Sequence, residues 1–222
     1  MTRAVLSVRD SLPTAVRRPM LVLAPPAAIA VVVVGLLVHG RSTPSAFDRW
    51  ALDASGGPVP YPSQQRLLAQ VVDFAGEPVG AGLLVTGLIA FCLVLGHQRS
   101  ALLAIFGPSL SVAVTTVLKP VARRTINGPH LSFPSGHTAI VTAVALVFAF
   151  VVVDRLGLGP RAGTTVVLYT AVTAGGIEAW AQYGMVVHYP SDTLGGFCVA
   201  LAVVPPSAWV VDRVTRGGGT PV

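Results

Sequence analysis

Charge is scarce in this sequence: 11% of its 222 residues are Asp, Glu, Lys or Arg, less than half the share of about 25% in an ordinary soluble domain. Together with 53% hydrophobic residues and a mean hydropathy of +0.72, that scarcity excludes a disordered tail and argues against a water-soluble globule. Cysteine is nearly lacking, and Cys92 and Cys198 both fall in apolar runs where a thiol acts as a small buried hydrophobe. A secreted disulfide scaffold is therefore excluded as well. Acidic residues are few, nine against 15 basic ones. The basic residues punctuate apolar blocks instead of clustering, so the net charge of +6 predicts no nucleic-acid partner.

Long uncharged runs dominate what remains. About 20 mostly apolar residues in a helix cross a hydrocarbon core of about 30 Å. The stretches Arg18 to His39, Glu77 to His97, Arg99 to Lys119 and Asp192 to Asp212 hold no charge between their ends. A shorter run, Thr138 to Val153, reaches spanning length if its helix starts near Pro134, and Ala162 to Val187 is interrupted only by Glu178. The prediction is an all-α polytopic membrane protein with six transmembrane helices.

Lys and Arg favour cytoplasmic segments. Arg3, Arg9, Arg17 and Arg18, then Arg99, then Arg155 and Arg161, then Arg213 and Arg216 all fall on one side of an even-numbered set of crossings. Both termini are thus expected in the cytoplasm, with tails at 1–18 and 213–222, a membrane domain at 19–212 and an extracytoplasmic loop at 39–77. That loop carries Trp50, Tyr61 and Phe74 and reads either as an interfacial flap or as a connector. A cleaved signal peptide is the competing view of the first run, but the core from Met20 to Val38 exceeds the roughly 7–15 residues of such a peptide, which favours a retained helix. Gly217–Gly219 reads as a loose tail.

This topology brings two connections to the same outer face. The first, 119–137, supplies Lys119, Arg123, Arg124, His130, Ser135 and His137; the second, HYPSD at 188–192, supplies His188 and Asp192. Cations, imidazoles and a carboxylate meeting at a membrane surface are what a phosphate site requires. Each part also has a plainer reading. Basic residues at a helix end contact lipid headgroups, and Pro134-Ser135-Gly136-His137 serves as a helix N-cap whether or not an anion docks on its backbone N–H groups. His188 and Asp192 are four apart, so the carboxylate can fix one ring nitrogen and leave the other free to attack. No zinc-type spacing links the His, Asp and Glu residues, so no metal is expected. Glu178, about 15 Å deeper on a straight helix than His188, is expected protonated or paired across helices, with a role in substrate handling as the alternative.

With those residues in view, the chain resembles the type-2 phosphatidic acid phosphatase superfamily, the lipid phosphate phosphatases related to vanadium haloperoxidases. The resemblance rests on PSGH at 134–137, HYPSD at 188–192 and the Lys/Arg segment upstream. It implies that His188 is the nucleophile, that Asp192 orients it and that His137 is the general acid. It further implies that Lys119, Arg124 and the Ser135–Gly136 backbone hold the phosphoryl oxygens, and that a phosphohistidine forms without metal or cofactor. Two departures from the family signature stand out. Ile126 and Asn127 occupy the expected Arg-Pro positions, which leaves Arg124, with Arg123 as helper. Ala181 and Gln182 replace the expected Ser-Arg, which removes one phosphate-binding cation.

The implied activity is hydrolysis of a lipid-linked phosphate or diphosphate, of polyprenyl or phosphatidic acid type, at the outer leaflet of the plasma membrane. Passing the phosphoryl group to another acceptor would make a lipid-linked phosphotransferase. A catalytically idle lipid-binding or scaffold protein is the reading from a different class.

Overall fold

The computed structural model describes residues 9–217, so Arg3 and Gly218–Gly219 lie outside the described residues. Helix α1 (Thr14–Val38) leads into two short helices, α2 (Ala46–Ala54) and α3 (Gln64–Asp73). Then come α4 (Pro78–Val94), α5 (Gln98–Ala122), a hairpin of β1 (Thr125–Ile126) and β2 (His130–Leu131), α6 (Gly136–Arg155), α7 (Pro160–Gly184) and α8 (Pro190–Gly217). Ile126 pairs with His130, so the hairpin turns through the three residues Asn127, Gly128 and Pro129, the first two at positive φ.

Helix α6 is central, packing on α4, α5, α7 and α8. Its Ala143, Ala149, Leu146, Val147 and Phe150 are fully buried, and the small residues among them let its neighbours approach closely. Helix α1 lies along α8 and buries Val16 and Met20 in the same core, which places the first apolar run inside the bundle. Its opposite face exposes Ile29, Val32, Leu36 and Leu37. An apolar exterior on a helix of this length suits hydrocarbon, not water.

Four helices, α1, α5, α6 and α8, are long and apolar enough to cross a membrane; a fifth span arises if α3 and α4, bent by 60°, count as one. The run expected to cross at Ala162 to Val187 forms α7, which at 25 residues has the length but is diluted by Gly, Thr, Glu178 and Gln182. The protein is an all-helical, multi-pass membrane protein.

The 39–77 segment is more than a connector. Ser45 and Asp48 form a reciprocal capping box that starts α2, and Ser63 caps α3. Helix α3 packs through Ala69 and Val72 on Ala181 of α7 and on Met185 just past its end, while α2 rests on α8. Trp50 and Tyr61 stay exposed. At the other end of the bundle Asp10 holds Arg17 and Arg99, each at 2.9 Å, and also Arg216. Asp212 accepts the Ser11 backbone N–H at 2.6 Å, so the start of α1 and the end of α8 share that end.

Candidate active site

Three structural units converge at the end of the bundle that carries α2 and α3. The α7–α8 connection supplies His188, whose Nδ1 lies 3.5 Å from Asp192 Oδ2. The same carboxylate oxygen accepts the Tyr189 backbone N–H at 2.9 Å, which fixes it one helical turn from the imidazole. With Nδ1 turned to the carboxylate, Nε2 is the nitrogen left for a substrate. The His188 side chain is 11% exposed, a nearly enclosed base with a narrow opening.

The second unit is the N-terminus of α6. Ser135 caps it by accepting the Thr138 N–H, and Ser135 Oγ donates to Gln182 Oε1 at 2.6 Å. The Ser135 backbone N–H is spent on the Asp192 carbonyl at 2.9 Å. Gly136 and His137, at the first helical positions, keep N–H groups with no intrahelical acceptor, so an oxyanion would be met there. This packing needs glycine on α8: a Cβ at Gly196 would fall 2.3 Å from the Ser135 carbonyl, and one at Gly195 2.5 Å from Phe133.

The third unit is the bend between α3 and α4. It brings Asp73 and Glu77 over His137, whose Nε2 lies 3.6 Å from Glu77 Oε1. Asp73, His188 and Glu77 all act electrostatically on the His137 ring, so the two imidazoles share one site. Gly76 sits so close that a Cβ there would fall 2.4 Å from His137. Asp73, Glu77 and His137 offer ligand atoms all within 4.8 Å of one another. This grouping was not foreseen by the metal-free expectation.

Several sequence expectations are revised. Arg124, expected to grip phosphate, is fully buried, with one terminal nitrogen 2.8 Å from Asp192 and the other 2.6 Å from Asp48. Its guanidinium also stacks 4.2 Å from the Tyr189 ring. Two carboxylates saturate it because an unpaired buried cation is costly. Arg123, expected to help, is the exposed left-handed residue that ends α5, and His130 is exposed in β2. Lys119, in the last turn of α5, is within electrostatic reach of Asp192 and remains the cation next to the site.

Gln182 is no vacancy. Its Oε1 accepts from Ser135 and Thr138, and its Nε2 lies 3.3 Å from Asp73. Glu178, expected paired if ionised, is 1% exposed, and neither oxygen has a hydrogen-bond partner among the described residues. Asp48, Asp73 and Glu77 belong to no motif in the sequence. Their link to the site depends on tertiary folding, with no spacing signal to reveal it.

This all-helical membrane fold, with paired histidines at one end, matches a known family. Residues 80–216 match the PAP2 superfamily, and the chain belongs to it. A solved structure of similar fold is the first transmembrane PAP2 type phosphatidylglycerolphosphate phosphatase from Bacillus subtilis. The TM-score is 0.65 at 18% identity, covering 88% of this chain and 96% of that one. No curated protein sequence matches the chain.

Proposed function

We propose that the protein is an integral membrane lipid phosphatase that hydrolyses a lipid-linked phosphate or diphosphate at the outer leaflet, with six crossings and both termini cytoplasmic. The observation that carries this reading is His188 held against Asp192 and facing His137 at the N-terminus of α6. His188 Nε2 attacks phosphorus; the N–P bond forms as the bond to the lipid oxygen breaks, and His137 protonates that oxygen. Water then attacks the phosphohistidine while His137, left neutral by the first step, takes a proton from it; the N–P bond breaks, releasing phosphate and restoring both imidazoles. Lys119 and the N–H groups of Gly136 and His137 stabilise the equatorial oxygens. Membership of the PAP2 superfamily supports this chemistry, and the apolar helix exteriors suit a lipid tail.

Phosphate release from a short-chain polyprenyl diphosphate and from phosphatidic acid, measured on purified protein with excess chelator, tests the proposal. Activity that persists under chelation and disappears in His188→Ala is the expected result. A metal-assisted variant is favoured by one observation, the Asp73–Glu77–His137 grouping; loss of activity on chelation would select it. Retained function after replacing both His188 and Asp192 would instead select a non-catalytic lipid-binding role. Phosphoryl transfer to an added alcohol would identify a phosphotransferase of the same chemistry.

A further inference from the structure

Asp48 lies outside the segment that matches the family, yet it is 1% exposed and fully committed. Its Oδ1 accepts the Ser191 backbone N–H at 2.8 Å and the Ser191 hydroxyl at 2.6 Å. Its Oδ2 accepts the Ser45 backbone N–H at 2.8 Å and Arg124 at 2.6 Å. Arg124 passes its other terminal nitrogen to Asp192 Oδ1, and Asp192 Oδ2 faces His188 Nδ1. A line of four side chains thus runs from the first loop to the imidazole, its last step the 3.5 Å approach of Asp192 Oδ2 to His188 Nδ1.

Resting on the phosphatase reading, we propose that Asp48 is a positioning residue for His188, acting through Arg124 and Ser191. A lone guanidinium against Asp192 would cancel much of the carboxylate's charge in a buried setting. A second carboxylate on the far side of Arg124 leaves the trio with a net negative charge. Asp192 can then hold the Nδ1 proton and stabilise the positive ring that develops as the N–P bond forms. Through Ser191 the same residue pins the turn that carries His188. A capping role alone would require only the Ser45 contacts.

Among the described residues the other groups around His188 are His137 on α6, Asp73 and Glu77 that face His137 from the bend between α3 and α4, and, through Asp192, Lys119 on α5. None of these changes in an Asp48 variant, so the ring itself can report the coupling. The experiment is histidine-labelled NMR of the full chain in detergent, run alongside phosphate-release kinetics. Asp48→Asn should lower the His188 pKa by about half a unit or more. It should also cut kcat about tenfold with KM kept within about threefold. Removing the guanidinium as well, in Asp48→Asn with Arg124→Gln, should raise the His188 pKa back above that of the single variant. Asp53→Asn, on an exposed position of the same helix, should change neither readout.

An unaltered His188 pKa in folded Asp48→Asn overturns the proposal, as does an activity loss that only tracks the folded fraction. If Asp48→Asn does not fold, Asp48→Glu keeps the charge and should hold the His188 pKa within about 0.2 units; a drop of half a unit or more in that variant overturns it equally. Wild-type protein that releases no phosphate from either lipid would sink the enzymatic reading, while the NMR comparison would still decide the coupling.

Discussion

The two ends of the bundle both gather charge, and they handle it differently. At the end that carries Asp10, the ion pairs are partly solvated: side chains of Asp10, Arg17 and Arg216 are 20%, 28% and 50% exposed. Burial pushes the Asp10 carboxyl up, but Arg216 and Arg17 hold it below its ordinary value. At the histidine end Arg124, Asp48 and Asp192 are sealed from water; among the described residues His188 Nδ1 and His137 Nε2 there lack hydrogen-bond partners, as do the nitrogens of the buried His97 at the opposite end. The first arrangement ties termini together at little desolvation cost. The second buries an entire ion-pair network against two imidazoles, which is a feature of sites that do chemistry.

The largest test of that contrast is His188→Ala, which should lower kcat about a thousandfold or more while the protein stays folded. Measurable turnover near the wild-type rate would break the assignment of the reactive end. Next, Arg124→Gln strands two buried carboxylates and should destabilise by about 3–5 kcal/mol. Arg216→Gln, at the solvated end, should leave the detergent unfolding temperature unchanged. Equal effects in a thermal unfolding assay would erase the distinction between the ends.

Acid should discriminate them as well. Burial raises the Asp48 carboxyl, but hydrogen bonds from Ser191 and Ser45 outweigh it and set the pKa at about 2, against an ordinary 3.8. Because the folded value is the lower one, the stabilisation is complete above about pH 4 and is lost as pH falls through about 2; it amounts to about 2 kcal/mol. Unfolding followed between pH 5 and 2 should show this slope in wild type and lack it in Asp48→Asn.

A smaller effect is expected from Gly76→Ala, whose methyl would collide with the His137 ring and should reduce kcat about tenfold by shifting the general acid. Smallest is Gln182→Arg. A guanidinium placed between Asp73 and Ser135 should tighten vanadate inhibition about threefold if it reaches the oxyanion. Unchanged inhibition would mean that Asp73 captures the new cation.

Much of the architecture could be read from local patterns. Uncharged runs located all six long helices, and PSGH and HYPSD fell at one end of the bundle because an up-and-down chain returns alternate connections to the same side. What escaped detection depended on distance. Arg124 read as a phosphate ligand because its carboxylate partner Asp48 is 76 positions upstream, and no periodicity connects them. Glu178 read as either protonated or paired across helices, and its lack of a hydrogen-bond partner among the described residues leaves the protonated form. The short helices α2 and α3 were hidden because their amphipathic faces are brief, and Gly195–Gly196 gains meaning only once Ser135 is seen against it.

All three loop carboxylates near the histidines, Asp48, Asp73 and Glu77, precede residue 80, where the family match begins. The acidic surroundings of both imidazoles thus come from a segment that the family match does not include. Chimeras that graft another relative's 39–77 segment onto this core would exchange those carboxylates in one step and separate their influence on the imidazoles from that of the helices beneath.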